Sequence, residues 1–223
     1  MHLVKQGLRH HGLAGSLVRA ARIASRRLLR LPYLREQHLW WLLDLFAERP
    51  HPPLPEGLQC RRIETPLTQD VELITDVGFV ESQRRLAAGA ELWTVVADDG
   101  RVVSSCWFFR RQAPALASKV GWLELPADVV CMEDSFTIPL YRGRGIAAAG
   151  WSRMADALAA TGVRAILGKV EISNTPSRRS LVKAGFKPIA YMELKRLCML
   201  PRVIFEPFSD EWPTPWLVQQ LVT

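Results

Sequence analysis

Cysteine is scarce in this chain. Cys60, Cys106, Cys131 and Cys198 are the only four in 223 residues, with no CxxC pair among them and no ladder of histidines nearby. That pattern argues against a zinc site and a disulfide framework, so no metal is expected, and it suits a reducing cytoplasm. Histidine is absent beyond position 51, all five lying at His2, His10, His11, His38 and His51. Proton chemistry in the main body is therefore expected from other side chains. No apolar run approaches the roughly 18 residues that span a bilayer. The richest, Leu39-Trp40-Trp41-Leu42-Leu43, is cut by Asp44 and reads as a buried or interfacial helix. There is no internal repeat and no low-complexity segment.

Acid is missing from the first 35 positions, which hold Lys5, Arg9, Arg19, Arg22, Arg26, Arg27, Arg30 and Arg35. The rest of the chain has 21 basic and 22 acidic residues, so the net charge of +7 belongs to this extension. Leu13, Leu17, Ala20, Ala24, Leu28 and Leu31 recur at helical spacing, predicting a helix over 13–31 that Pro32 ends or kinks. A second helix is expected over 34–47. Residues 1–50 thus read as a basic helical extension, and the proline-rich 51–57 as a stiff linker. From 58 to 200 the pattern is α/β. Strands are expected at 58–63, 92–97, 102–109, 129–138 and 165–172, with a final pair near 186–199. Helices are expected at 67–76, 79–89, 145–160 and 175–184. Asp98-Asp99-Gly100 is a hairpin signal, and Gly185 fits the position just past a helix. The tail 201–223, rich in Pro and Trp, has no assigned place.

One turn carries the most chemistry. Arg142-Gly143-Arg144-Gly145-Ile146-Ala147 stands between a strand and an alanine-rich helix. Glycine lets the backbone approach a ligand, and the helix start offers unpaired N–H groups and a positive dipole end. With arginines on both sides, this is a site for a pyrophosphate. Gly143-x-Gly145-x-x-Ala148 followed by Glu171 also fits a dinucleotide fingerprint. Against that rival stand Pro139, which interrupts the link from strand to loop, and the lateness of the turn in the chain.

A second block follows the turn, from Asn174-Thr175-Pro176-Ser177 to Lys183-Ala184-Gly185-Phe186. Arg142-x-x-Gly145-x-Ala147, then helix, strand and this block, resembles the GNAT superfamily of acyl-CoA-dependent N-acyltransferases over residues 58–199. The resemblance implies a mixed, mostly antiparallel sheet of six or seven strands flanked by helices, an α/β (α+β) fold. It implies acetyl-CoA (CoA) as the cofactor, held by Arg142, Gly143, Arg144, Gly145, Ile146, Ala147 and Asn174. The pantetheine arm would lie where strand 129–138 splays from strand 165–172.

Transfer of the acyl group needs a base for the amine, a donor for the oxyanion and an acid for the thiolate. Glu133 is the candidate base, since many members carry a Glu at that place. Strand alternation puts Glu133 with Cys131, Ser135 and Thr137, and Asp134 with Met132, Phe136 and Ile138 on a core face; a β-bulge would swap the two. The donor is expected from a backbone N–H, that of Ser135 or Phe136. Many members have a Tyr as the acid where this chain has Leu181; Ser180, Tyr191 and water are the substitutes.

The expected function is acetyl transfer from acetyl-CoA to a primary amine on a small molecule or peptide, by direct attack in a ternary complex. Its alternatives are transfer of a longer acyl chain from acyl-CoA or an acyl carrier protein, and an acyl-CoA-binding module without turnover. Trp107, Phe108, Trp122 and Glu124 either line the acceptor cleft or pack inside. The basic extension suits an anionic membrane surface or carrier protein, and packing between two copies as a homodimer; its arginine-rich, acid-poor start also resembles a transit peptide. No aromatic-basic motif points to a specific nucleic acid. The expected location is cytoplasmic, with attachment at a membrane surface as a variant.

Overall fold

The structure, a computed structural model of the chain, describes residues 33–63, 77–118, 120–197 and 200–221. The helices expected at 13–31 and 67–76 lie outside the described residues. In chain order the elements are β1 (Tyr33–Asp44), β2 (Leu58–Ile63), α1 (Phe79–Ala87), β3 (Glu91–Ala97), β4 (Val102–Arg110), β5 (Gln112–Pro114), β6 (Trp122–Glu124) and β7 (Val129–Thr137). There follow α2 (Ile146–Ala159), β8 (Ala165–Glu171), α3 (Thr175–Lys183), β9 (Lys187–Leu197), β10 (Leu200–Pro207) and α4 (Thr214–Leu221).

Eight strands form one sheet in the order β10-β9-β1-β8-β7-β4-β3-β2, and β5 and β6 form a separate hairpin. In the large sheet only β7 and β8 run parallel; the other neighbours are antiparallel. The fold is the mixed, mostly antiparallel α/β type expected.

Residues 34–47 do not form the second helix expected of them. They are β1, a 12-residue strand between β8 and β9. Trp40 is buried against the core on one side of the sheet, with Trp107, Cys131 and Met192. Its neighbour Trp41 is buried on the other side, with Met132, Trp151 and Phe186. A strand covered on both faces reads as an unbroken apolar run, which periodicity cannot tell from a buried helix. Residues 33–44 therefore belong to the same sheet as the strands that follow residue 58. The proline-rich stretch also packs. Leu54 rests on the core, Arg49 pairs with Asp156 of α2, and the Ser152 hydroxyl of α2 donates to the Pro50 carbonyl at 3.5 Å.

Two cores sandwich the sheet. On one face α2 and α3 bring Ile146, Trp151, Met154, Leu158 and Leu181 onto β1, β7 and β8. On the other, α1, α4 and the β5–β6 hairpin cover Trp40, Leu92, Trp107 and Cys131. Helix α3 ends in a Schellman motif: Phe186 N–H donates to Leu181 O and Gly185 N–H to Val182 O, both at 3.0 Å, with Gly185 at φ 91°. The unplaced tail holds β10, the outer strand of the sheet, and α4. No helix among the described residues is long and apolar enough to cross a membrane.

Candidate active site

The arginine-glycine turn lies where β7 leaves the sheet. A short 3-10 turn, Pro139–Tyr141, carries the chain out, and Gly143 (φ 78°) and Gly145 (φ 77°) take left-handed conformations before α2 begins. A Cβ at either glycine would meet no atom within 4 Å, so the backbone angle, not crowding, selects glycine here. Gly145 is the N-cap and accepts no side-chain bond; the first helical bond runs from Ala149 N–H to Gly145 O at 3.1 Å. The amides of Ile146, Ala147 and Ala148 thus precede the helical ladder and open on a turn whose residues 142–145 are exposed. Arg142 donates to Thr137 O at 2.9 Å with its guanidinium over Phe136, and the Arg144 guanidinium lies over Tyr141. Neither is ion-paired with a described residue. This is an exposed, cationic cradle of amides at the positive end of a 14-residue helix, which fits a pyrophosphate.

From that cradle a gap leads inward. The ladder between β7 and β8 stops at Met132↔Gly168, although β7 continues to Thr137 and β8 to Glu171. Past that point β7 stays on β4 and β8 stays on β1, so the two parallel strands splay. A bulge is the local cause. Trp107 pairs with Glu133 and Ser105 with Phe136, leaving Asp134 and Ser135 opposite Cys106, with Asp134 at φ 44°. A bulge bends its strand and raises its twist.

The same bulge corrects the expected alternation. Asp134 does not join a core face with Met132; Glu133 and Asp134 both line one cavity of about 200 Å³. Ser135 does not share the Glu133 face; its hydroxyl accepts from Trp151 Nε1 of α2 at 3.0 Å. In the cavity Glu133 forms an ion pair with Lys169, the first β8 residue beyond the ladder. Their side chains are 13% and 19% exposed. Asp134 pairs with Arg85 of α1 at 2.8 Å, and Arg85 also pairs with Glu81 at 3.0 Å, its guanidinium lying over Trp107 and Phe109.

Burial raises the Glu133 carboxyl above its ordinary range; the Lys169 ammonium opposes this, and Asp134 adds to it. Burial is the largest single influence on Lys169 and works to lower it, but Glu133, Cys131 and Asp134 together leave the ammonium raised. Desolvation pushes the Cys131 and Cys106 thiols well up, so both are protonated and inert.

The remaining candidates divide. Asn174 caps α3, its side-chain oxygen accepting from Ser177 N–H at 3.2 Å. Leu181 is fully buried and brings no proton. Ser180 is half-buried and donates to Pro176 O at 3.1 Å, and the Tyr191 hydroxyl accepts from Gln37 Nε2 at 2.7 Å. Trp107 and Phe108 pack inside, whereas Trp122 is exposed and Glu124 accepts from Gln112 at 2.8 Å. Sequence reading missed Lys169 and Arg85. Lys169 left a signal, a lone charge within Ala165–Val170; Arg85, the second of two adjacent arginines on an exposed-looking helix, left none. Among the described residues no group of three or more His, Cys, Asp or Glu is placed to hold a metal ion.

A model of the acetyltransferase (GNAT) family matches residues 58–186. Among solved structures, a Drosophila protein is similar at 16% identity and a TM-score of 0.54, over 82% of this chain and 57% of that one. A GCN5-related N-acetyltransferase from Sphaerobacter thermophilus is similar at 20% identity and a TM-score of 0.53, over 84% of this chain and 58% of that one. The glucosamine N-acetyltransferase region of a fungal multi-domain β-N-acetylglucosaminidase is similar at 15% identity and a TM-score of 0.52, over 79% of this chain and 23% of that one. At these identities the likeness is one of fold. The chain spans less than three fifths of the length of the first two. No curated protein matches it in sequence.

Proposed function

The chain belongs to the acetyltransferase (GNAT) family, and we propose that it transfers an acetyl group from acetyl-CoA to a primary amine by direct attack in a ternary complex. The observation that carries this reading is that three features are built on β7 and the turn after it: an open amide cradle at 143–148, a gap between β7 and β8, and a cavity lined by Glu133 and Asp134.

Acetyl-CoA supplies the acyl thioester. The amides of Gly143 to Ala147 hold the pyrophosphate oxygens, and Arg142 and Arg144 neutralise them. The unpaired edges of β7 and β8 receive the pantetheine amides in the manner of an added strand. Asn174, at the mouth of α3, meets the same arm. Glu133 accepts the amine proton through water; burial raises its carboxyl, which strengthens it as a base. A backbone N–H just after the bulge, that of Ser135 or Phe136, donates to the carbonyl oxygen as it gains charge. With leucine at position 181, water carries the proton to the departing thiolate.

The test is thermal stability with acetyl-CoA, CoA, a long-chain acyl-CoA and NAD, followed by thiol release across an amine panel. A ligand at a hundred times its Kd adds roughly 2.7 kcal/mol when it binds only the folded state. Stabilisation by the CoA compounds, abolished by Gly145→Glu, together with amine-dependent thiol release, is the expected result. Stabilisation by NAD alone would overturn the reading of the turn. CoA binding without thiol release from any amine would leave a binding module and sink the transferase.

A further inference from the structure

The cavity beside the bulge holds more charge than acetyl transfer to a simple amine requires. Its described lining includes three carboxylates, Glu36, Glu133 and Asp134, and two cations, Arg85 and Lys169. Both cations are committed: Lys169 to Glu133, and Arg85 to Asp134 and Glu81. Glu36, half-buried on β1, makes no hydrogen bond or ion pair with a described residue. The charged groups within electrostatic range of it are Lys169 and Glu171 of β8 and Arg196 of β9, and desolvation is the largest influence on its carboxyl, raising it. The titratable group beside it on β1, His38, is neutral near pH 7.

Position separates Glu36 from the reaction centre. Lys169, the partner of Glu133, stands opposite Trp40 in the register of β1 and β8. Glu36 lies four residues from Trp40 along β1, about 13 Å of strand. The same cavity is lined by apolar side chains, Trp40, Leu116, Met192 and Leu194 among them. A volume of about 200 Å³ is also below the roughly 300–1,000 Å³ of drug-sized sites, so the occupant is small.

We propose that Glu36 recognises a second positive charge on the acceptor, so that the cleft selects a short diamine whose first amine reacts beside Glu133. The methylene chain lies along Trp40, Met192 and Leu194. Among the described residues no lining cation is free for a carboxylate, so an amino acid of the same length is discriminated against, because its acid group would face Glu36 unpaired. This inference rests on the amine-acetylation reading above.

The test is calorimetry on the full chain with CoA bound, using α,ω-diamines of three to six carbons, the matching monoamines and the matching ω-amino acids. The best diamine should bind at least about tenfold more tightly than its monoamine, the range for a hydrogen bond to a charged group, with the amino acid weakest. Glu36→Gln should collapse the ratio of diamine to monoamine affinity, and Glu36→Asp should keep part of it, with CoA affinity reporting that each variant is folded. Equal affinity for diamine and monoamine, or a ratio that Glu36→Gln leaves intact, overturns the inference. Kinetics separate its failure from that of the underlying reading. Thiol release that shows no diamine preference sinks the role of Glu36 alone. Absence of thiol release with every amine sinks acetyl transfer, while the binding ratio still decides Glu36.

Discussion

Lys169→Met removes the paired cation from a carboxylate whose side chain is only 13% exposed. At that burial the pair belongs to the regime in which losing one partner costs about 3–5 kcal/mol, because a charge is left uncompensated. Replacing both partners, as in Glu133→Gln with Lys169→Met, removes the uncompensated charge, and most of the loss should return. The double-mutant cycle should show a coupling of about 2–3 kcal/mol, against the near-zero value for exposed pairs. Urea denaturation at constant m reads all four proteins. The cost must also depend on pH. Lys169 opposes the upward push of burial on Glu133, so its loss raises the carboxyl further. A group whose folded pKa exceeds its unfolded value contributes stability below the unfolded pKa and loses it as pH rises through the folded one. The deficit of Lys169→Met should therefore be smallest in acid and widen above the ordinary carboxylate range. If Glu133 is the base, the rising limb of kcat/KM moves to higher pH in the same variant. A deficit that ignores pH, or single losses that simply add, would refute the pairing; an unmoved limb would remove Glu133 from proton transfer.

Leu43→Ala on β1 should cost about 2–5 kcal/mol in urea denaturation, because Leu43 is 1% exposed within the core under α2 and α3; a cost below about 1 kcal/mol would mean that β1 is dispensable. Burial, aided by Lys169, lowers His38 to about 4 from the usual 6.5, so the unfolded chain takes the proton first and stability is lost as pH falls from 6.5 towards 4. His38→Gln should flatten that part of the urea-midpoint profile, and identical profiles would show that His38 is not held neutral. Asn174→Ala should cost about 1 kcal/mol as a lost N-cap and weaken CoA several-fold by calorimetry; unchanged CoA affinity would confine Asn174 to capping.

The parts of the fold that were legible are those whose signals are local. Asp98-Asp99-Gly100 turns β3 into β4, with Gly100 N–H donating to Ala97 O at 2.8 Å, and Gly185 stops α3 because a left-handed residue is needed there. The cradle at Gly143 and Gly145 was readable for the same reason. What escaped depends on partners far away in sequence. Nothing in residues 33–44 records that β8 and β9 will cover both edges of the strand and two cores both faces. The bulge at Asp134 uses a positive φ at a non-glycine residue, held by the Arg85 pair, and an aspartate between Glu133 and Ser135 does not announce it. Prolines disguised the outer strand, β10. Pro201 and Pro207 lie in the outer strand β10, and Pro188 of β9 sits where the register with β1 shifts, positions at which a sheet tolerates a missing N–H.

The distribution of the site along the chain has a consequence for specificity. The family match, residues 58–186, contains the cradle, the bulge, Glu133, Lys169 and Arg85. Glu36 and Trp40 come from β1 before that span, and Met192 and Leu194 from β9 after it, yet all four line the cavity that holds Glu133. The chain reaches this arrangement by placing β1 between β8 and β9, so that residues before position 45 form one wall of the cleft that holds Glu133 and Asp134. On the proposed reading, the cofactor is held within the family span, whereas part of the acceptor wall comes from segments outside it. Substitutions in β1 that preserve Trp41 and Leu43 should change which amine is bound while leaving CoA affinity alone, since those two side chains hold the strand from the opposite face of the sheet.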